Sequence, residues 1–218
     1  MMHIIGKRKI LMATKNKILY LFIKRAFDIF VSFVCLIILS PFMLIVGVLV
    51  AITSNGGPFY LDYRFGKNKK IIKIIKFRSM EKDSRPVSEI LSPDEYKEYI
   101  KTYKLEHDPR VTKFGKFIRK TSIDELPQLF NILKGDISFV GPRPIAIKEY
   151  DDLWKNNDFI FKIKPGLTGY WAVNGRSDTT YIERIELERY YVMNRSIVLD
   201  IKIMFKTVIV VFSKKGAI

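Results

Sequence analysis

The feature that most constrains the fold is an apolar run from Ala26 to Ile52, AFDIFVSFVCLIILSPFMLIVGVLVAI, in which Asp28 is the only charged residue. A helix that spans the hydrocarbon core of a bilayer needs about 20 apolar residues. The apolar part of a signal peptide is shorter, about 7 to 15 residues, and precedes a small-residue cleavage site. The run is longer than this and shows no such site, so it predicts a helix that enters a membrane and stays there.

The charges on both sides of this run bear on how the helix lies in the membrane. Residues 1–25 contain lysines and arginines and no acid, and basic residues are again frequent from Arg64 to Arg78. The positive-inside bias therefore places both ends of the run on the cytoplasmic face. Ser40-Pro41 in its middle predicts a kink, because proline removes one helical hydrogen bond. Two paths stay open on this pattern: a helix that enters, bends at Ser40-Pro41 and returns, and a single kinked crossing.

The composition indicates which kinds of molecule the protein could bind. The chain has 218 residues, of which 48% are hydrophobic and 28% charged, and its formal net charge is +16. This indicates a folded domain with an anchor, and a polyanionic partner such as nucleic acid, anionic lipid headgroups or phosphorylated substrates. The single cysteine, Cys35, excludes an intrachain disulfide framework. One cysteine and two histidines are also a poor ligand set for zinc.

Local patterns predict several elements after the apolar run. Residues 59–80 read as a two-stranded ribbon with a turn near Gly66 to Lys69. Ser92, Pro93 and Glu95 form the start of a surface helix, with a capping box between Ser92 and Glu95. Near the C-terminus, SIVLDIKIMFKTVIVVFSKK is apolar except for a few charges, which favours a buried helix or one in the plane of the lipid headgroups.

Two adjacent carboxylates, Asp124 and Glu125, stand between two segments whose apolar residues recur at helical spacing. Pro127 supports a helix end at the pair, where both side chains can converge on one ion or phosphate. We expect the nearby cations to lower the pKa of the pair and keep it ionised. These cations are Lys113, Lys116, Arg119 and Lys120. Two close carboxylates otherwise repel, unless a cation such as Mg²⁺ lies between them or they share a proton.

Arg143 in the sequence GPRP has prolines on both sides, which restrict its backbone and suit it to bidentate phosphate binding. Acids, a divalent cation and phosphate-binding cations together indicate phosphoryl transfer. An aspartate can itself be the nucleophile at phosphorus. The alternative for the acid pair is an ordinary solvated helix start, because acids favour the first turn of a helix.

The segment HDPRVTKFGKFIRKTSIDELPQLFNILKGDISFVGPRP resembles the signature of the bacterial sugar transferase family, the monotopic polyprenyl-phosphate phosphoglycosyl transferases that start glycan assembly. KIIKFRSM, KPGLTGYWAVNGR and ERYYVMNRSIVLDIKIMFKT resemble further motifs of the family, in the same order along the chain. The resemblance extends from Ile23 to Phe212, and its DELPQL and GPRP blocks are the most specific parts.

The resemblance implies an α+β fold that is mainly helical. Residues 1–25 would be a basic N-terminal segment and residues 26–53 a re-entrant membrane helix broken at Ser40-Pro41. Residues 54–218 would be a catalytic domain with a small β-hairpin and an interfacial C-terminal helix, on the cytoplasmic face of the bacterial inner membrane. Many relatives carry further spanning helices before this part, so the chain resembles the minimal form.

The resemblance also implies a reaction. Asp124 would attack the β-phosphate of a UDP-sugar and release UMP, and polyprenyl (undecaprenyl) phosphate would then take the phosphosugar from the enzyme. Glu125 would be a Mg²⁺ ligand with Asp124, and a possible base. Other matching positions are Lys76, Arg119 and Arg143 near the phosphates, and Gln128 and Arg176. The product would be the first lipid-linked intermediate of a capsule, exopolysaccharide, O-antigen or glycoprotein.

The chain departs from the family pattern at Asp62, where glutamine is commoner, and at Tyr170-Trp171-Ala172, where the commoner order is tryptophan, alanine, glutamine. Both regions are expected to contact the donor, so the identity of the sugar is left open. The expected partners are a UDP-sugar, polyprenyl phosphate and membrane lipids, without nucleic acid; a homodimer is left open. Two other functions remain: a basic membrane-anchored binding module without chemistry, and an aspartate-nucleophile phosphohydrolase with water as acceptor.

Overall fold

A computed structural model describes residues 2–82, 85–102, 105, 108–150, 152–175 and 179–213, with side chains described in these ranges except at 2–16, 101–102, 148, 152–153 and 211–213. The architecture is mainly helical with two small sheets, as predicted. The helices are α1 Met2–Thr53, α2 Val87–Ile90, α3 Pro93–Thr102, α4 Lys113–Lys120, α5 Gln128–Lys134, α6 Asp152–Lys155, α7 Tyr170–Asn174, α8 Tyr181–Asn194 and α9 Ile197–Ser213. The strands are β1 Phe59–Phe65, β2 Ile71–Phe77, β3 Ser138–Val140, β4 Ile145–Ala146 and β5 Gly166–Thr168.

Helix α1 continues through Pro41, so the break predicted at Ser40-Pro41 does not interrupt the helix. Proline at position 41 has no N–H for the carbonyl of Ile37, four residues earlier. The Ser40 hydroxyl donates a hydrogen bond to that carbonyl at 2.9 Å. The serine hydroxyl therefore satisfies the acceptor that the proline leaves open. Whether α1 turns back within a bilayer stays a prediction.

One face of α1 packs against the rest of the protein from Asp28 to Val50. Its inward residues recur every three or four positions, which is the spacing of one helical face. They are Asp28, Ser32, Cys35, Leu36, Leu39, Met43, Val46 and Val50. At 1.5 Å per residue the stretch from Asp28 to Val50 is about 33 Å long. The helix is therefore part of the folded core. Its segment Lys17–Thr53 is also long and apolar enough to cross a membrane.

The predicted ribbon is confirmed: β1 and β2 pair antiparallel, with Phe59 opposite Phe77 and Phe65 opposite Ile71. Two features lie outside the sequence prediction. Strand β4 adds to the other edge of β1, and β3 pairs in parallel with β5 in a second sheet. The two predicted helices around the acid pair are confirmed as α4 and α5.

The C-terminal helices are fastened to α1 through one buried carboxylate. Asp200 of α9 accepts hydrogen bonds from Tyr20 at 3.0 Å and Lys24 at 2.7 Å, both on α1, and from Tyr191 of α8 at 2.8 Å. Buried charges are stable only when they are paired and hydrogen-bonded, and this one has both kinds of partner. The capping box predicted at the start of α3 is also present, since Glu95 accepts from the Ser92 amide at 2.8 Å.

Candidate active site

The acid pair lies on a short 3-10 turn, Ile123–Glu125, which joins α4 to α5. The preceding residue, Ser122, has left-handed backbone angles (φ 56°, ψ 18°). Non-glycine residues rarely adopt this conformation, and such strain is concentrated at functional sites. Pro127 is the residue immediately before α5, which agrees with the helix boundary predicted from the sequence. The turn presents both carboxylates between two helix ends.

The position of α4 depends on a close approach to the end of the β-hairpin. A Cβ atom at Gly115 would lie 1.9 Å from the carbonyl oxygen of Ser79, so only glycine allows this contact. The Ser79 hydroxyl in turn accepts a hydrogen bond from Nε of Arg119 at 2.8 Å. Arg119 is thereby held one turn before the acid pair, and its charge acts on Asp124.

Lys76 and Glu125 form an ion pair beside Asp124, with 3.0 Å between Nζ and Oε1. Lys76 is near the end of β2, where it lies opposite Tyr60 of β1. Both side chains are partly exposed, at 20% and 33%. The pair brings together residues 49 positions apart in the sequence, and its cation also acts on Asp124.

The pKa of Asp124 differs from the prediction. Burial, followed by the charge of Glu125, raises the pKa of this carboxyl, and Lys76 and Arg119 lower it, so that the pKa moves from 3.8 to about 6. The expectation that neighbouring cations would lower the pKa of Asp124 is therefore wrong. The half-buried position of the side chain outweighs the cations, because transfer out of water disfavours the ionised form.

An open cavity adjoins the acid pair and encloses about 450 Å³ when the space open to solvent is counted. It is lined by four of the residues that the sequence predicted: Lys76, Glu125, Gln128 and Arg143. These residues come from β2, the 3-10 turn, α5 and the segment between β3 and β4. A concave lining that combines apolar side chains with a few charged groups is typical of small-molecule sites. The positive charge of the lysine and arginine suits it to an anionic ligand.

The opposite side of the cavity includes residues that sequence reasoning did not assign to the site. They are Arg64, Trp171 and Glu188. Arg64 donates to the carboxylate of Asp62 at 2.7 Å and 2.9 Å and to the Pro144 carbonyl at 2.9 Å, so it braces the loop that carries Arg143. The sequence placed the Tyr170-Trp171-Ala172 segment near the donor but gave Trp171 no role of its own. Both departures from the family pattern are at this cavity. Trp171 lines it, and Asp62 is hydrogen-bonded to Arg64, which also lines it.

Arg176 lies outside the described residues, and the roles predicted for the other site residues stay predictions. The described part of the chain contains no group of three histidine, cysteine or acidic side chains that could enclose a metal ion. A magnesium ion commonly uses one or two carboxylates together with substrate phosphates. Asp124 and Glu125 beside a cationic cavity fit that pattern, because the missing ligands would come from the donor.

Comparison of the sequence with known proteins identifies a family that it matches. The sequence model of the family described as "Bacterial sugar transferase" matches residues 19–214. The undecaprenyl-phosphate galactose phosphotransferase of Salmonella typhimurium is 46% identical over 200 residues, which is 90% of this chain and 42% of that protein. The chain thus spans about two fifths of the length of that relative.

Two further relatives differ in length. The exopolysaccharide production protein ExoY of Rhizobium meliloti is 41% identical over 197 residues, which is 89% of this chain and 87% of that protein. The UDP-glucose:undecaprenyl-phosphate glucose-1-phosphate transferase of Escherichia coli is 37% identical over 203 residues, which is 89% of this chain and 41% of that protein. The names of these relatives refer to galactose, to glucose or to a polysaccharide.

Proposed function

The chain belongs to the bacterial sugar transferase family, and on this premise we propose that it transfers a phosphosugar from a UDP-sugar to undecaprenyl phosphate and releases UMP. The observation that carries the proposal is the cavity in which Lys76, Glu125, Gln128 and Arg143 meet beside Asp124. The names of the relatives support a UDP-hexose as donor and undecaprenyl phosphate as acceptor.

In the first half of the proposed reaction, a carboxylate oxygen of Asp124 attacks the β-phosphorus of the donor. A new oxygen–phosphorus bond forms, and the bond from that phosphorus to the oxygen bridging the two phosphates breaks. UMP leaves with the bridging oxygen, and the phosphosugar stays on Asp124. A carboxyl with a pKa of about 6 is mostly ionised at neutral pH and is more basic than an ordinary aspartate. It therefore needs no separate base.

In the second half, a phosphate oxygen of the polyprenyl phosphate attacks the same phosphorus, and the bond to Asp124 breaks. The carboxylate is regenerated, and the product is a polyprenyl-diphosphate-sugar. Both steps bring an anion toward an anionic phosphorus centre, so fixed cations are needed at the site. We assign this role to Lys76, Arg119 and Arg143, since the first two act on Asp124 and the third lines the cavity.

We propose that Asp124 and Glu125 hold Mg²⁺ together with the donor phosphates. When bound, the ion would neutralise charge on the diphosphate and on the departing UMP. Without it, Glu125 raises the pKa of Asp124 by charge repulsion, so an ion between the two carboxylates would favour the ionised nucleophile. Lys76, already paired with Glu125 at 3.0 Å, keeps that carboxylate turned toward the cavity.

The lipid acceptor would reach the site from an apolar surface. Phe117 on α4 and Phe130 on α5, which flank the acid pair, are 55% and 49% exposed. Large apolar side chains are likewise exposed along α1 and α9. Exposed apolar patches of this kind mark membrane or partner contacts. We propose that they rest in the cytoplasmic leaflet of the inner membrane, with the cavity open to the UDP-sugar in the cytoplasm.

The test is UMP release from a panel of UDP-sugars by detergent-solubilised enzyme, with Mg²⁺ and undecaprenyl phosphate. Wild type should release UMP from at least one donor and form a labelled polyprenyl-diphosphate-sugar. Asp124→Asn should reduce release by several orders of magnitude, because it removes the nucleophile. Asp94→Asn, on the surface helix α3, is the matched control and should keep full activity.

Three outcomes would contradict the proposal. Equal UMP release by Asp124→Asn would remove Asp124 from the chemistry. Free sugar phosphate without a lipid product would favour the phosphohydrolase. Absence of UMP from every donor, with the protein folded, would favour a binding module without chemistry.

A further inference from the structure

Glu188 of α8 is completely buried and lines the cavity, but the proposed transfer steps do not use it. Its Oε1 accepts a hydrogen bond from the backbone N–H of Arg143 at 3.0 Å. Its Oε2 has no hydrogen-bond partner among the described residues. A buried acceptor left without a partner costs about 1–3 kcal/mol, and more when it is charged. This oxygen is therefore suited to accept a hydrogen bond from a ligand.

Aromatic and cationic side chains surround this carboxylate. Trp171 also lines the cavity, and the Arg143 guanidinium lies 5.6 Å from the centre of its ring. Arg184, one turn before Glu188 on α8, lies 4.7 Å from Trp171 and 4.9 Å from Trp154. Arg184 thus packs against the indole of Trp171. The cavity wall at this end combines a flat apolar ring with an unused carboxylate oxygen.

The position of Arg143 decides which part of the donor reaches this wall. Arg143 is a phosphate-binding residue in the proposed function, and its own backbone contacts Glu188. The sugar is joined to the β-phosphate through a single oxygen, whereas the uracil is separated from that phosphate by the α-phosphate and the ribose. With the β-phosphorus at Asp124 and its oxygens near Arg143, the sugar is the nearer group to Glu188 and Trp171.

We propose that the Glu188 carboxylate accepts a hydrogen bond from a hydroxyl group of the donor sugar, whose ring lies against Trp171. Glu188 is then a specificity-determining residue, and Arg184 is a positioning residue that holds the indole. The inference rests on the proposed function and adds the sugar subsite to it. Burial raises the pKa of Glu188 to about 7, which agrees with a carboxylate that lacks one partner until the donor binds.

The test compares Glu188→Gln with wild type on the preferred UDP-hexose and its monodeoxy analogues. Gln keeps the volume of the side chain and can still accept from Arg143, so the fold should survive, as thermal unfolding would verify. Wild type should lose about 10- to 150-fold in kcat/KM on one analogue, the range for a hydrogen bond to a charged group. Glu188→Gln should show a comparable loss on the intact donor and little further loss on that analogue. Glu186→Gln, exposed on the same helix, should behave as wild type.

Donor binding to the Asp124→Asn protein, measured by calorimetry with and without Glu188→Gln, keeps the test independent of turnover. The dissociation constants should follow the same pattern as kcat/KM. One deoxy analogue should bind more weakly than the intact donor when Glu188 is present, and Glu188→Gln should weaken binding of the intact donor with little further effect on that analogue. Equal use of all deoxy analogues by wild type would overturn the inference. The inference would also be overturned if the loss of binding caused by Glu188→Gln disappeared on donors with an altered uracil and persisted on donors with an altered sugar. Binding that follows the predicted pattern without UMP release by wild type would contradict the proposed function alone.

Discussion

At the scale of single residues, Asp124 shows how burial and charge compete. Lys76 and Arg119 favour its ionised form, but desolvation and the charge of Glu125 are stronger, and the pKa rises from 3.8 to about 6. A proton is therefore bound more tightly in the folded state than in the unfolded state. By linkage, this contribution to stability is fully present below pH 4 and is lost as the pH rises through 6.

We therefore predict that Asp124→Asn stabilises the protein in a pH-dependent way. One pKa unit corresponds to 1.36 kcal/mol, so the shift from 3.8 to about 6 corresponds to about 3 kcal/mol. In Mg²⁺-free buffer the variant should be more stable than wild type by up to that amount at pH 8, and the difference should fade toward pH 4. Chemical unfolding at both pH values measures it. A difference that is the same at both, or is largest at pH 4, would contradict the raised pKa.

At the scale of secondary structure, α1 and α5 are joined by one arginine. Arg25 of α1 donates to the carbonyl oxygens of Ile132 at 2.7 Å and Leu133 at 2.8 Å, in the last turn of α5. Carbonyls at a helix C-terminus have no partner within the helix and carry partial negative charge. Because α5 follows the acid pair directly, helix α1 and the candidate site share one support.

Replacing this arginine should weaken both stability and turnover. Arg25→Met keeps the aliphatic stem and removes both hydrogen bonds, at an expected cost of about 1.5–3 kcal/mol for each bond from a charged group. The loss is measured as a lower unfolding temperature and as a decrease in kcat. Lys17→Met, at an exposed position of the same helix, is the control and should change neither. A stability change of equal size in both variants would show that Arg25 acts only through the net charge of α1.

At the scale of the whole molecule, the exposed apolar side chains and the net charge of +16 are the features that favour the proposed membrane-facing surface. Helix α9 is tied to α1 through Asp200 and Lys24 at 2.7 Å. On α9, Phe205 is 71% and Ile209 66% exposed. Apolar groups of this kind with surrounding lysines are typical of helices in the headgroup region.

This surface can be mapped with an environment-sensitive fluorophore on single cysteines, in a Cys35→Ser background. A probe at position 205 of α9 should show a blue-shifted emission in lipid nanodiscs, because it lies among acyl chains or headgroups. A probe at position 94 on α3 is the control and should report water. Identical emission at both positions would exclude the proposed orientation.

The sequence predicted the parts of the molecule that depend on local pattern. The β1–β2 hairpin followed from alternation and a turn, and α4 and α5 followed from helical spacing around the acid pair. What it could not predict depends on tertiary contacts. Glu188 contacts Arg143 from 45 positions away, and Arg64 contacts Pro144 from 80 positions away.

The same distinction explains the error at Asp124. The nearby cations can be read from the sequence, but the burial that outweighs them is a property of the packed site. Continuity of α1 through Pro41 was missed for a different reason. The Ser40 hydroxyl that satisfies the Ile37 carbonyl is local, and a hydroxyl next to a proline is a signal that could have been used.

Mass spectrometry is the most direct test of the proposed covalent link between Asp124 and the phosphosugar. The purified protein is incubated with its UDP-sugar and Mg²⁺ in the absence of polyprenyl phosphate, then measured intact and after proteolysis. We predict a mass increase of one hexose phosphate on the peptide that contains Asp124, and its loss when polyprenyl phosphate is added. UMP release without any adduct, or an adduct that persists in Asp124→Asn, would contradict the account.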